Sequence, residues 1–394
     1  MSSRSDQFRA LLSQRVIVAD GAMGTMLQAA DPSMEDFQQL EGCNEILNVT
    51  RPDIVRAVHE EYLAVGVDAI ETNTFGANLP NLAEYDIPER IEELAEAGAR
   101  IAREAADGYS TEDKPRFVLG SMGPGTKLPS LLHAPYADLR DAYEKCARGL
   151  VNGGADALLI ETCQDVLQAK AAVVGSKRAL TELGEDVPII VSVTVETTGT
   201  MLMGTEIAAA LTALEPLGID MISLNCATGP AEMSEHLRHL SQNATIAVGC
   251  LPNAGLPQLG KDGAVYPLSP AELAEAHTTF VKDYGLSLVG GCCGTTPEHL
   301  AAVVEAVGGM PVTPRRPTPE AGVASSTRRC RSGRTRASSP SASAPTPTAP
   351  RRSARRCSRR TGTSASRSPR SRRARVLTCS TCASTTWVAT ARAT

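Results

Sequence analysis

What the chain lacks narrows it first. No apolar stretch reaches the roughly 18 residues needed to span a membrane. The opening MSSRSDQFRALLSQR has no apolar run of signal-peptide length. No GxGxxG follows a strand-like run, which removes the usual dinucleotide signature. The 6 His show no HxxxH or HxH spacing; His277 and His299 fall in helical stretches and read as solvated. Residues 321–394 contain no Lys, Asp, Glu, Ile or Phe, and Leu377 is their one Leu. A segment so poor in apolar residues cannot build a core.

What is present is 394 residues, 42% of them apolar and 21% charged. That is enough for one large domain or two ordinary ones. The net charge of −5 hides a split. All 44 acidic residues and 22 of the 39 basic residues precede residue 321, so that part carries −22. An acidic body gives no reason to expect nucleic-acid binding. The 17 Arg of residues 321–394 give that segment +17. Of the 11 Cys, 7 lie in the acidic body and two of these, Cys292 and Cys293, are adjacent. An odd count without an export signal implies a reducing, cytoplasmic setting, where thiolate or metal chemistry is more natural than a disulfide frame.

Along the body a short apolar run, a small or polar turn and a helical stretch recur. The runs are Val16–Asp20, Val67–Glu71, Phe117–Gly120, Ala157–Glu161, Pro188–Val195, Ile219–Asn225, Thr245–Cys250 and Leu286–Gly290. Their continuous apolarity suits strands buried on both faces. Between them, Pro52–Val65, Ile91–Ala106, Ala137–Val151, Ala169–Leu183, Ile207–Leu217, Pro230–Leu240, Pro270–Asp283 and Pro297–Val307 have helical spacing. Eight strands alternating with helices predict an α/β fold, a (β/α)8 TIM barrel; a doubly wound open sheet is the alternative. The barrel domain is placed at residues 1–315, and a disordered Arg/Ser/Pro-rich tail at 316–394.

In a barrel the C-terminal strand ends converge on one face. Cys226, Cys292 and Cys293 lie at two of these ends. Three thiolates with one open position suit a catalytic zinc whose substrate is itself a thiol, since zinc lowers the thiol pKa. Gly290, Gly291 and Gly294 would let the backbone bend so that both adjacent Cys face one metal. The alternative is that these Cys are small buried hydrophobes. Cys163 and Cys250 lie close enough to strand ends to act as substitutes. Asp20 and Glu161 each end a run and read either as holders of a substrate ammonium group or as helix caps. Glu71 occupies the same position and can instead pair with a loop residue. Asn253 reads as a weak fourth zinc ligand that leaves when substrate arrives, or as a turn former. A barrel lyase using Glu161 and Glu71, or a binding protein whose tail carries the function, are the other classes open; no run end offers a Lys for Schiff-base chemistry.

The segments ADGAMGTMLQ (19–28), EGCNEILNVTRPDIV (41–55), ETNTFGAN (71–78), SMGPGTKLPS (121–130), ETCQD (161–165), ETTGTMLMGT (196–205), LNCATGP (224–230), LPNAGLP (251–257) and VGGCCGTTPEH (289–299) carry a resemblance. In this order the chain resembles the homocysteine S-methyltransferase family, in its cobalamin-dependent branch. The resemblance implies Zn²⁺ on Cys226, Cys292 and Cys293, and homocysteine bound as a zinc thiolate. It further implies that Asp20 and Glu161 hold the amino-acid end, and that the product is methionine. The implied donor is methylcobalamin, supplied with methyl groups by 5-methyltetrahydrofolate on modules normally in the same chain; neither the folate nor the cobalamin module is recognisable here. The alternatives are a stand-alone enzyme using S-methylmethionine or betaine, and an inactive truncated fragment.

From about Ser325 the composition changes abruptly. Arg, Ser, Ala, Thr and Pro are what GC-rich coding sequence yields out of frame, so residues beyond about 325 are expected to have no evolved function. The competing reading is a basic partner-binding arm.

Overall fold

The computed structural model describes residues 3–259, 264–319 and 321–331. Eight parallel strands form one sheet. They are β1 (Ile17–Val18), β2 (Ala69–Glu71), β3 (Phe117–Met122), β4 (Ala157–Cys163), β5 (Ile189–Val193), β6 (Met221–Asn225), β7 (Ala247–Leu251) and β8 (Leu288–Val289). Each falls inside or across one of the eight apolar runs. Every strand pairs with its neighbour in sequence and β8 pairs with β1, while a parallel bridge between Ala19 and Ala69 joins β1 to β2. This is a (β/α)8 barrel.

The apolar runs are continuous because alternate residues face two different cores. Ile17, Ala69, Leu119, Leu159, Ile190, Met221 and Leu288 fill the barrel interior. Val18, Ile70, Val118, Leu158, Val191, Ile222 and Val289 face the surrounding helices. Helices Pro52–Ala64, Ile91–Tyr109, Tyr136–Asn152, Val166–Leu183, Ile207–Leu214, Pro230–Asn243, Pro270–Thr279 and Pro297–Val307 supply that outer layer. Four of them start with Pro in the first turn, where its missing N–H is no loss.

The N-terminal helix Arg4–Leu11, which periodicity did not predict, stoppers the bottom of the barrel. Phe8 is fully buried edge-on against Phe117, ring centroids 5.2 Å apart. Its neighbour Arg9 pairs with Asp220 at 2.8 Å.

Asp220 belongs to a set of three. Asp68, Asp156 and Asp220 immediately precede or open β2, β4 and β6, and each accepts the N–H of the strand before it. The donors are Val18, Val118 and Ile189, at 3.0, 2.8 and 2.9 Å. Each carboxylate also meets an Arg: Arg15 at 3.0 Å, Arg103 at 2.7 Å and Arg9 at 2.8 Å. The bottom face is thus pinned at every second strand by a paired acid.

The described residues also hold two short hairpins. One, Gln258–Leu259 with Ala264–Val265, follows β7; the other, Gly322–Ala324 with Arg329–Arg331, lies within the segment that composition assigns to the tail. The second hairpin is ordered by backbone bonds: Glu206 N–H donates to Thr327 O at 2.8 Å, and Thr205 Oγ1 to Ser326 O at 2.5 Å. Exposed backbone that finds a helix N-terminus to bond needs no core of its own. The rest of the predicted tail lies outside the described residues.

Two expected outcomes follow from this packing. Asp156→Ala leaves the buried Val118 N–H without its acceptor and takes one of Arg103's partners, while Asp107 and the Arg116 carbonyl stay with Arg103; it should lower the unfolding free energy by about 2 kcal/mol in urea titrations. A loss under about 1 kcal/mol would remove these acids from the list of structural anchors. The second outcome concerns two buried imidazoles. Burial pushes His59 down to about 3 and His277 down to about 4, from 6.5. The unfolded chain therefore binds more protons than the folded one between pH 6.5 and about 4, so stability falls as pH drops through that window. His59→Phe should flatten part of that slope in melting temperature against pH.

Candidate metal centre and substrate cavity

The strand ends leave their ladder in an unusual way. Cys226 and Ala227, just past β6, adopt left-handed φ of 62° and 58°, and Thr162 in β4 adopts 53°. None is Gly, so each conformation has to be imposed by its surroundings. The turn at Cys226 brings its Sγ within 3.9 Å of Cys293 Sγ.

Cys292 and Cys293 sit in a loop clamped from several sides. Cys292 N–H donates to Pro252 O at 2.8 Å, and Cys292 O accepts Thr295 Oγ1–H at 2.7 Å. Cys293 N–H donates to Asn253 Oδ1 at 3.1 Å. Tyr62 O–H donates to Thr295 O at 3.0 Å. The glycines here serve two purposes rather than one. Gly294 has φ +77°, but at Gly290 and Gly291 the need is space: a Cβ would stand 2.6 Å from Leu251 and 2.3 Å from Thr295.

The three sulfurs all lie within 4.8 Å of one another, and Cys292 to Cys293 is 4.0 Å. Tetrahedral bonds of about 2.3 Å to zinc would place sulfurs about 3.8 Å apart, so this donor set fits such an ion with small movements. Hydrogen bonds from Cys226 and Cys292 push Cys293 down to about 3, while bonds to Cys226 and Cys293, with burial, raise Cys292. One thiolate is readily carried by the cluster; three require a cation.

Beside the thiols lies a cavity of about 250 Å³, bordered by the Gly21–Thr25 turn, Asn44, Thr72, Phe75, Ser121, Glu161 and the three Cys. It is below the 300–1,000 Å³ typical of drug-sized ligands and suits a small metabolite. Glu161 is buried and accepts hydrogen bonds from Ser121 Oγ at 2.5 Å and Asn225 Nδ2 at 3.0 Å. Burial raises it to about 7 despite those donors. Asp20 and Glu71 are also raised, each chiefly by burial, and the three acids repel one another. Among the described residues none of the three has an ion pair.

Several expectations change. Both oxygens of Asp20 accept the Glu71 N–H, at 3.1 and 3.0 Å, so Asp20 braces β2 and is not among the residues that border the cavity. It is Glu71's backbone, rather than a loop residue, that makes this pairing. Asn253 is occupied with the Cys293 N–H, a positioning contact. Cys163 Sγ is turned to Ile160 O and Glu161 O, and Cys250 Sγ to Met233 Sδ, both away from the cluster. His277 is fully buried rather than solvated, its Nε2 at 2.8 Å from Gly290 O, which ties a helix to the cysteine loop. Sequence reasoning missed Ser121, Thr162 and Asn225. The asparagine directly before Cys226 was a visible signal for the last of these.

Comparisons with known proteins fit this picture. Residues 17–307 match the family model described as homocysteine S-methyltransferase. Methionine synthase of Mycobacterium tuberculosis (strain ATCC 25618 / H37Rv) is 62% identical over 315 residues, covering 80% of this chain and 26% of that protein. Methionine synthase of Mycobacterium leprae (strain TN) is 60% identical over 319 residues, with the same coverage of 80% and 26%. The chain thus spans about a quarter of the length of these relatives. The metallated form of the Escherichia coli homocysteine methyltransferase MmuM superposes with a TM-score of 0.59 at 23% identity, over 75% of this chain and 98% of that one. That likeness is one of fold.

The unpaired acids generate an expected outcome. A carboxyl whose folded pKa is raised favours the folded state at low pH and opposes it as pH rises through the folded value. Glu71→Gln should therefore raise the melting temperature of the ligand-free protein at pH 8, by more than at pH 5. Equal melting temperatures at both pH values would show that Glu71 is solvated.

Proposed function

The chain belongs to the homocysteine S-methyltransferase family, and from that premise we propose that its barrel binds homocysteine and turns it into a methyl acceptor, giving methionine. The observation that carries this reading is a single cavity bordered at once by three converging thiols and a buried carboxyl. Zinc held by Cys226, Cys292 and Cys293 would lower the pKa of the substrate thiol and offer it as a thiolate at neutral pH.

The chain's own residues do the rest. Glu161, with Asp20 as a nearby acid, takes the ammonium group by charge-assisted hydrogen bonding, which also relieves the acids' mutual repulsion. Ser121 and Asn225 hold the two Glu161 oxygens so that the ammonium, and hence the sulfur, has a fixed place. Asn253 keeps the cysteine loop seated. In the transfer a new S–CH₃ bond forms as the donor–CH₃ bond breaks; the donor keeps the electron pair, and the thiol proton has gone to solvent.

We assign this work to residues 1–315. The donor assigned is methylcobalamin on a separate module, replenished from 5-methyltetrahydrofolate. Support comes from the identity to methionine synthases, of whose length the chain spans only a quarter. The seven cysteines of the barrel are free thiols, which suits the cytoplasm. No helix among the described residues is long and apolar enough to cross a membrane.

Metal analysis of the purified full chain should find about one zinc per molecule, bound by thiolates as in structural and catalytic zinc sites. Cys226→Ser and Cys293→Ala should each lose it and lose homocysteine binding by calorimetry. Asp20→Ala should retain zinc and bind homocysteine roughly tenfold more weakly, because the brace on β2 and one nearby acid are lost together. Full zinc content in both Cys variants would overturn the ligand assignment.

A further inference from the structure

Asn225 stands where the two halves of the site meet. It is the last residue of β6 and only 1% exposed. Its Nδ2 lies 3.0 Å from Glu161 Oε2, 2.9 Å from Thr162 Oγ1 and 4.0 Å from Cys292 Sγ. Its Oδ1 accepts the Thr162 N–H at 2.9 Å, and its main-chain oxygen accepts Thr194 Oγ1–H at 3.0 Å.

A primary amide has two hydrogens to donate. Here three acceptors surround it, and they belong to different functions: a carboxyl bordering the substrate cavity, a strained residue of β4, and a sulfur of the metal cluster. The amide is planar, so any rotation that favours one acceptor moves both hydrogens and the oxygen together. The Thr162 backbone, held in its left-handed conformation by Oδ1, would move with it. Packing alone would not select such a group: an apolar side chain at a fully buried strand position avoids the desolvation of an amide.

We propose that Asn225 is a positioning residue that couples metal capture at Cys292 to amino-acid binding at Glu161; this rests on the function proposed above. The direction follows from the chemistry. A sulfur whose lone pairs are drawn to a cation is a poorer hydrogen-bond acceptor. The Nδ2 hydrogens then go to Glu161 and Thr162, which steadies the carboxylate that receives the ammonium. By reciprocity, an occupied ammonium site tightens the metal by the same factor.

The probe is L-norleucine, a sulfur-free amino acid whose side chain cannot ligate a metal. Its affinity is measured by calorimetry on the full chain under reductant, zinc-loaded and zinc-stripped. Wild type should bind norleucine about tenfold more tightly with zinc, within the usual range of site-to-site coupling. In Asn225→Ala that ratio should fall to about one, even where both absolute affinities weaken. Asn225→Leu keeps the side-chain volume and adds no charge but has no donor, so it should lose the ratio as well. It supplies the answer if the alanine variant does not fold. A merely structural role would weaken both states alike and leave the ratio intact. An unchanged ratio in the variants, or a ratio of one in wild type, would overturn the assignment to Asn225. No norleucine binding to wild type in either state would instead overturn the amino-acid reading beneath it.

Discussion

The parallel register of the barrel is the constraint on which the site depends. Leu224 pairs with Cys250 and Asn225 with Leu251 between β6 and β7, and Val289 pairs with Cys250 between β7 and β8. These pairings set the ends of β6 and β8 one strand apart, with β7 between them. Cys226 and the Cys292–Cys293 loop then approach from either side of β7, and its next residues, Pro252 and Asn253, hold the loop by their oxygens. A slip of one residue in any of these pairings would turn the strand's side chains to the other face and scatter the sulfurs. The cysteine cluster is a consequence of backbone hydrogen bonding before it is a matter of sulfur chemistry.

The two ends of the barrel use acidic residues in opposite ways. At the bottom, Asp68, Asp156 and Asp220 each have an Arg and a strand N–H, so their charge is met within the fold. At the top, Asp20 and Glu161 are buried and Glu71 half-buried, with no cation paired to them among the described residues, and all three are pushed upward chiefly by desolvation. Buried, unpaired like charges oppose folding. Their persistence at the cavity and their pairing elsewhere fit a ligand that brings the cation itself. Under the proposed function an amino acid entering through its ammonium group would do so, and a divalent ion on the thiols would do the same for the sulfurs.

Much of this was legible in the sequence, for physical reasons that differ by feature. The eight strands were readable because strands buried on both faces must be apolar throughout, even where, as in β1 and β8, only two residues keep strand geometry. The cysteine cluster was readable because sulfur chemistry is rare enough to notice. What escaped depends on distance along the chain. Asn225 meets residues 63 to 67 positions away, and periodicity carries no information at that range. His277 looked solvated on its helix because nothing local shows that its ring reaches a carbonyl 13 residues on, in the cysteine loop. The hairpin at 322–331 escaped because composition reports the lack of a core, whereas that segment is held by main-chain bonds to Thr205 and Glu206.

The distribution of strain ties these points together. Among the described residues eight that are not glycine have positive φ; Thr162, Cys226 and Ala227 are three of them, and they lie where β4 and β6 open into the site. A strand keeps its side chains perpendicular to the ladder, so aiming a sulfur and a carboxyl at one point requires leaving ladder geometry, at about 1 kcal/mol or more per residue. Glycine would relieve the strain but would carry no sulfur at position 226. The conformation must therefore be held from outside. The holders are visible: Asn225 Oδ1 on the Thr162 N–H, Leu251 O on the Cys226 N–H, and Cys226 O on the Thr228 N–H. The residue before Cys226 thus holds the strained turn of β4 rather than that of β6, and its amide, once there, is within reach of both Glu161 and Cys292.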